Sequence, residues 1–248
     1  MKFLLQLLAA TCFLLLLRFT GYLSPNLYIP FWNTYVPVSE PLYFIFAAFV
    51  IVGTVNAVNI TDGVDGLAAG TCVPVFLCFT AIVFCWGKEY MPQGIFASGM
   101  VGALLGFLIY NFNPARVFMG DTGSTFLGYI LATLSITGLF KMYAIISFAV
   151  PFLILGIPIF DICFAFLRRI AHGQSPMHAD RSHIHHRLID MGLNQKQAVA
   201  TLYVISAILG LSAVVLTTSG EGRAMLFFLV LCIVAVVAAR VVFPKEVK

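Results

Sequence analysis

The chain of 248 residues is 61% hydrophobic and only 10% charged, with a net charge of +4 and a mean hydropathy of +1.00. An ordinary soluble domain carries roughly 25% charged residues, so a water-soluble globular protein is excluded, and at about 20 residues per membrane crossing the length leaves room for roughly eight spans. The small positive excess is what the positive-inside bias gives many membrane proteins and does not call for a nucleic-acid partner, while the six cysteines all fall in apolar runs with no CxxC pair and read as plain helix-packing residues.

In chain order, apolar stretches at 3–18, 42–58, 68–86, 94–111, 122–139, 143–167, 198–217 and 224–242 predict about eight transmembrane helices. The first, MKFLLQLLAATCFLLLLRF, is apolar for longer than a secretory h-region, typically about 7 to 15 residues, and reads as a membrane helix. Strict alternation is missing and runs such as Phe227 to Ala239 are apolar on every side, so the fold class is an all-α polytopic integral membrane protein, one transmembrane domain over residues 1–248.

Orientation follows from the connections. With the N-terminus inside, Lys2, Arg116, Arg168, Arg169, Arg181, Arg187, Lys196, Arg240, Lys245 and Lys248 face the cytoplasm, and only Arg18, Lys88, Lys141 and Arg223 face outward. This places the loops at about 56–68, 111–124 and 168–197 on the cytoplasmic side, as a multi-pass protein of the inner (plasma) membrane. Asp62, Asp65, Asp121, Asp161, Asp180 and Asp190 lie at or near the same face, with Asp161 inside a span and suited to pairing with an arginine below it.

Three constellations on that face carry chemistry. In NAVNITDGVDGLAAG (56–70), Asn56 and Asn59 stand i, i+3 on one helix face, and Asp62 and Asp65 follow, each with a glycine behind it. An Asx-rich turn would explain a lone TDG, but two Asn and two Asp at the edge of hydrocarbon suggest function. In NFNPARVFMGDTGSTFLG (111–128), Asp121 before Thr122 and Ser124 suits either an N-cap or a hard-cation ligand. HADRSHIHHRL (178–188) holds four of the five histidines with Arg181 and Arg187, which suits an anion clamp or, as the main alternative, a solvated basic loop that only sets topology, better than a closed zinc site. Carboxylates and amides for a metal beside a cationic clamp are the parts of phosphoryl transfer.

These three motifs, in this order, resemble those of the polyprenyl-phosphate N-acetylhexosamine-1-phosphate transferases, of the glycosyltransferase family 4 type, over essentially the whole chain. The resemblance implies transfer of a sugar 1-phosphate from a UDP-N-acetylhexosamine to a membrane polyprenyl phosphate, such as undecaprenyl phosphate, with Mg²⁺ (or Mn²⁺ in its place) and release of UMP. HIHHRL after HADR is similar to the branch using UDP-N-acetylglucosamine, which begins teichoic acid, O-antigen or related surface glycans. By motif position it implies Asp121 and Asn59 as metal ligands and Asp65, Asn111 and Phe118 around the uracil. It implies His183, His185, His186 and Arg187 on the sugar and diphosphate, with Lys2 near the diphosphate. Asp62, Asp65, Asp121 and His183 form the implied catalytic group, Asp62 supporting through a polar network, and a homodimer is compatible with it.

Members of that family also carry an adjacent Asp-Asp pair on the cytoplasmic loop just before the helix that here begins at KFLLQLLAA, with about three more helices ahead of it. Neither occurs in this chain, which therefore reads as N-terminally incomplete relative to the family: a truncation, a misassigned start, or a relative that binds nucleotide sugar without turnover. A transporter is the competing class, since intramembrane acids often mark ion paths, but it predicts polar groups near the bilayer midplane and internal repeats, and here the polar groups gather at one interface with no repeat.

Overall fold

A computed structural model describes residues 2–23, 25–29, 34–86, 90–139 and 188–218. Six helices stand where the apolar stretches predict them: α1 (Lys2–Phe19), α2 (Glu40–Thr61), α3 (Leu67–Trp86), α4 (Met91–Asn111), α5 (Gly120–Leu134, continued by a π-helical turn Ser135–Leu139) and α6 (Gln195–Thr218). Of these, α1 to α4 are long and apolar enough to cross a membrane. The expected spans at 143–167 and 224–242 lie outside the described residues.

The all-α expectation is corrected at one place. Between α1 and α2 the chain forms a two-stranded antiparallel hairpin, β1 (Asn26–Ile29) and β2 (Thr34–Pro37), with Asn26 opposite Pro37 and Ile29 opposite Thr34. The connection is too short to cross the bilayer, but its Tyr28, Ile29, Thr34, Tyr35 and Val36 are residues with strand preference, and pairing satisfies backbone groups that a loop would leave to solvent.

Each helix end has a local cause. Pro41 and Pro92 sit in the first turns of α2 and α4, where a missing N–H costs nothing. At the start of α6, Asn194 Oδ1 accepts from the Gln197 amide at 2.9 Å while Gln197 Oε1 accepts from the Asn194 amide at 3.0 Å, a reciprocal capping box.

The helices pack in two apolar clusters that share α5. Phe76, Phe79 and Ile82 of α3 and Ala97, Val101 and Leu104 of α4 meet Leu127 and Leu131 of α5. On the other side Leu14 of α1 and Ala47, Ile51 and Val55 of α2 meet Ala132. α3 is the most enclosed of the four candidate spans, 61% buried, and α1 the least, at 17%. Exposed Leu4, Leu8, Leu16, Ile45, Phe49, Ile95 and Ile109 suit contact with lipid.

Lipid tails are as apolar as leucine, so close backbone approach, rather than hydrophobic burial, holds helices together in a bilayer. Gly128 of α5 makes such an approach: a Cβ there would lie 2.7 Å from Val55 Cα and 3.0 Å from the Thr54 carbonyl oxygen, both on the backbone of α2. Neither atom can step aside without moving the helix. Gly128→Ala should therefore cost on the order of 1–3 kcal/mol of overpacking and lower the melting temperature of the detergent-solubilised protein; an unchanged melting curve would show that α2 and α5 have slack between them.

Candidate functional site

Helices α1 and α2 run antiparallel, as do α2 and α5, so the start of α1, the end of α2 and the start of α5 meet at one end of the bundle. There, Lys2 Nζ donates to Asn59 Oδ1 at 2.8 Å and to Asp121 Oδ2 at 2.9 Å, where it also forms an ion pair. Asn59 Nδ2 in turn donates to Asp121 Oδ1 at 3.0 Å and to Ser124 Oγ at 2.8 Å. One turn deeper Asn56 Nδ2 donates to Gln6 Oε1 at 2.8 Å, so the i, i+3 asparagines do share a face and bind the i, i+4 pair Lys2 and Gln6.

The capping alternative for Asp121 does not hold. The residue before the first turn of α5 is Met119, which makes no side-chain cap bond, and Gly120 enters the helix with φ +64°. This left-handed entry, which glycine adopts without strain, leaves the Asp121 carboxylate to face Asn59 and Lys2. The Asn59 amide and then the Lys2 hydrogen bond and charge hold that carboxyl below its usual range.

Asp62 ends α2, its amide bonded to the Asn59 carbonyl at 3.3 Å. Among the described residues its carboxylate makes no hydrogen bond or ion pair. Asp65 and Asn111 instead join two loops. Asp65 Oδ2 accepts from Asn113 Nδ2 and from the Ala115 amide, each at 3.1 Å. Asn111 is buried, accepts from the Gly66 amide at 3.0 Å and donates to the Val117 carbonyl at 2.9 Å, so both ends of its amide are engaged within the protein. Phe118 is 73% exposed and projects from the same segment. His183, His185, His186 and Arg187, with Arg181 and Asp161, lie outside the described residues.

A groove of about 470 Å³ opens beside this junction between α1 and α5. Lys2, Gln6, Asp121 and Thr122 stand toward its polar end, and Leu5, Ala9, Val55, Phe126 and Tyr129 make its wall largely apolar.

The oxygen pair suits a cation. Asn59 Oδ1 and Asp121 Oδ2 converge on one ammonium, which shows that both can face the same positive charge. Among the described residues no three His, Cys, Asp or Glu side chains cluster to form an all-protein cage. That donor set fits Mg²⁺, which commonly takes one or two protein oxygens and completes its shell with water and phosphate.

Sequence reasoning missed Gln6, Asn113, the Ala115 amide and Tyr203, whose hydroxyl donates to the Gly66 carbonyl. Gln6 was findable as the i+4 partner of Lys2 on an otherwise apolar helix; Tyr203 gives no local signal.

Partial burial, and then the Asp121 charge, push the Asp62 carboxyl from 3.8 up to about 6. The fold thus favours the protonated acid, and this contribution, complete below the ordinary value near 3.8, is lost as pH rises through about 6. Asp62→Asn, which mimics the neutral acid, should melt above the wild type at pH 7.5 in metal-free buffer, with the gap closing toward pH 4. A gap that does not vary with pH would mean that ionising Asp62 carries no cost.

Residues 1–139 match the family described as glycosyl transferase family 4. The probable undecaprenyl-phosphate N-acetylglucosaminyl 1-phosphate transferase of Bacillus subtilis (strain 168) is 42% identical over 191 residues, 77% of this chain and 53% of that protein. The phospho-N-acetylmuramoyl-pentapeptide-transferase of Staphylococcus carnosus is 47% identical over 137 residues, 54% of this chain and 42% of the relative. Its counterpart from Gloeothece citriformis is 39% identical over 211 residues, 84% and 56% of the two chains. The chain spans about half the length of the curated relatives it matches. With more than half of its residues matched by the family, and the Asn59, Asp62, Asp65 and Asp121 motifs inside the matched stretch, the chain belongs to glycosyl transferase family 4.

Proposed function

We propose that this protein transfers N-acetylglucosamine 1-phosphate from UDP-N-acetylglucosamine to undecaprenyl phosphate, releasing UMP, on the cytoplasmic face of the plasma membrane. The observation that carries the reading is the convergence of Lys2, Asn59 and Asp121 from three helices at one end of the bundle. The Bacillus relative, a probable undecaprenyl-phosphate N-acetylglucosaminyl 1-phosphate transferase, supports the choice of sugar over the acetylmuramoyl-pentapeptide named for the staphylococcal one.

In this reaction an oxygen of the lipid phosphate attacks the sugar-bearing phosphorus, and the bond to the uridine-side phosphate breaks, so that UMP leaves with the electron pair. Asn59 and Asp121 would hold Mg²⁺, which neutralises diphosphate charge when bound. Lys2, whose ammonium reaches the same oxygens, would give way to the cation and supply a positive charge beside it for the phosphate oxygens. The α1–α5 groove, polar toward Lys2 and Asp121 and apolar along its wall, suits a phosphate-headed lipid that enters from the bilayer. The loops pinned by Asp65 and Asn111 carry exposed Phe118, an aromatic face for the uracil. The histidines of HIHHRL would clamp the sugar and diphosphate. The clustering of polar groups at one end of the helices, rather than at mid-bundle, favours this reading over transport.

Membranes containing the protein, given labelled UDP-N-acetylglucosamine, Mg²⁺ and undecaprenyl phosphate, should form a lipid-linked sugar phosphate and UMP in equal amounts. Labelled UDP-N-acetylmuramoyl-pentapeptide should not serve. Preference for that donor would reassign the branch, and lipid product from neither, even with the protein expressed from its native locus, would overturn the reading. Asp121→Asn keeps the hydrogen-bonding shape but removes the charge; turnover should fall at least about a hundredfold, the usual scale for losing a charge-stabilising group, with little change in melting temperature. Wild-type turnover in purified Asp121→Asn protein would refute the metal assignment.

A further inference from the structure

Tyr203 stands on α6, beyond the residues matched by the family and outside all three motifs. Its ring lies on the bare backbone of Gly70: a Cβ at Gly70 would fall 1.9 Å from Tyr203 Cζ, so only glycine lets the ring seat there. The phenol hydroxyl donates to the Gly66 carbonyl. Gly66 has φ +77°, and its own amide donates to Asn111 Oδ1 at 3.0 Å. The other end of the Asn111 amide holds the Val117 carbonyl at 2.9 Å, and the Tyr110 carbonyl accepts from the Arg116 and Val117 amides at 2.7 and 3.2 Å. Beside this line Asp65 Oδ2 holds Asn113 and Ala115. A continuous hydrogen-bonded path therefore runs from α6, through the loop between α2 and α3, into the segment that presents Phe118 and leads to Asp121.

The docking of α6 does not need that hydroxyl. Val199 and Leu202 pack on Leu67, and buried Ser206 donates to the Thr71 carbonyl at 2.9 Å. Gly210 seats against Cys78, with a built Cβ only 2.6 Å from Cys78 Sγ. The ring of Tyr203 adds to this packing, whereas its oxygen reaches the Gly66 carbonyl at the head of α3, which also accepts from the Gly70 amide at 2.9 Å.

We propose that Tyr203 is a positioning residue for the nucleotide end of the site: its hydroxyl latches the Gly66 carbonyl to α6, and so anchors on that helix the loop at 62–66 and the 112–118 segment that Asn111 and Asp65 bind to it. The inference rests on the reading above for the nucleotide, and on the hydrogen bonds alone for the latch.

Tyr203→Phe keeps the ring and removes the latch, and Ser206→Ala, one turn further along α6, is the control for general packing. In the full chain in detergent or nanodiscs, Tyr203→Phe should speed amide hydrogen exchange roughly tenfold at 64–67 and 112–118, the scale of one lost hydrogen bond, with the melting temperature nearly unchanged. It should weaken UDP binding, measured by calorimetry with Mg²⁺, by a similar factor. Ser206→Ala should do neither. Unchanged exchange in Tyr203→Phe, or equal loosening of both loops by Ser206→Ala, would overturn the latch. Loosened loops with unaltered UDP affinity would overturn the positioning role. A wild-type chain that binds no UDP, while Tyr203→Phe still loosens the loops, would uphold the latch and overturn the nucleotide reading instead.

Discussion

The Lys2–Asp121 ion pair, with Asn59 bonded to both members, is the constraint around which the described bundle is arranged. A carboxylate at the centre of a membrane helix costs about 2.5–3.5 kcal/mol on translocon scales, and far less at a helix end that water can reach. Asp121 lies at such an end and is largely exposed, with Lys2 about half exposed, so the pair itself adds little to stability. What it fixes is register. A helix that slid by one residue would carry its charged end away from the other two, and the apolar faces would lose their partners at the same time.

Below that junction the packing is made by shape. The bare Cα of Gly128 against Val55 brings α2 and α5 close enough for the amide of Asn59 to bridge to Asp121 and Ser124. Because α5 also presents Leu127 and Leu131 to α3 and α4, it couples the two apolar clusters. Displacement on either side of α5 would reach Asp121, so the geometry of the polar end depends on apolar contacts several turns below it.

Much of this was legible in the residues. Six apolar stretches became helices within a few residues of their expected limits, because runs of about 20 apolar residues have few alternatives when backbone groups must be satisfied internally. Asn59 and Asp121 were linked only by the family resemblance, which implies them as metal ligands; the structure joins their side chains at 3.0 Å. The β1–β2 hairpin escaped a reading tuned to spans, since each strand has only four residues. Asn111, which the resemblance implies beside the uracil, uses its amide in the structure to tie loops together. That distinction depends on which groups oppose it in space, 45 residues away at Gly66. Tyr203 was illegible for the same reason: its partner is 137 residues distant, and a tyrosine in an apolar helix carries no mark of what its hydroxyl reaches.

The polar end also has an electrostatic logic that no single residue displays. The N-termini of α1, α3 and α5 all lie there, and each brings the positive end of a helix dipole. Asp121 alone would set a negative charge among them and repel an anionic ligand. Lys2 cancels that charge at 2.9 Å while leaving the oxygens of Asn59 and Asp121 aligned toward a common point. The polar end is therefore a neutralised carboxylate set among helix N-termini. A lysine suits this position better than an arginine would. Its ammonium is a compact charge on a flexible stem, so it can leave the oxygen pair without disturbing the amide bond that Asn59 holds to Ser124.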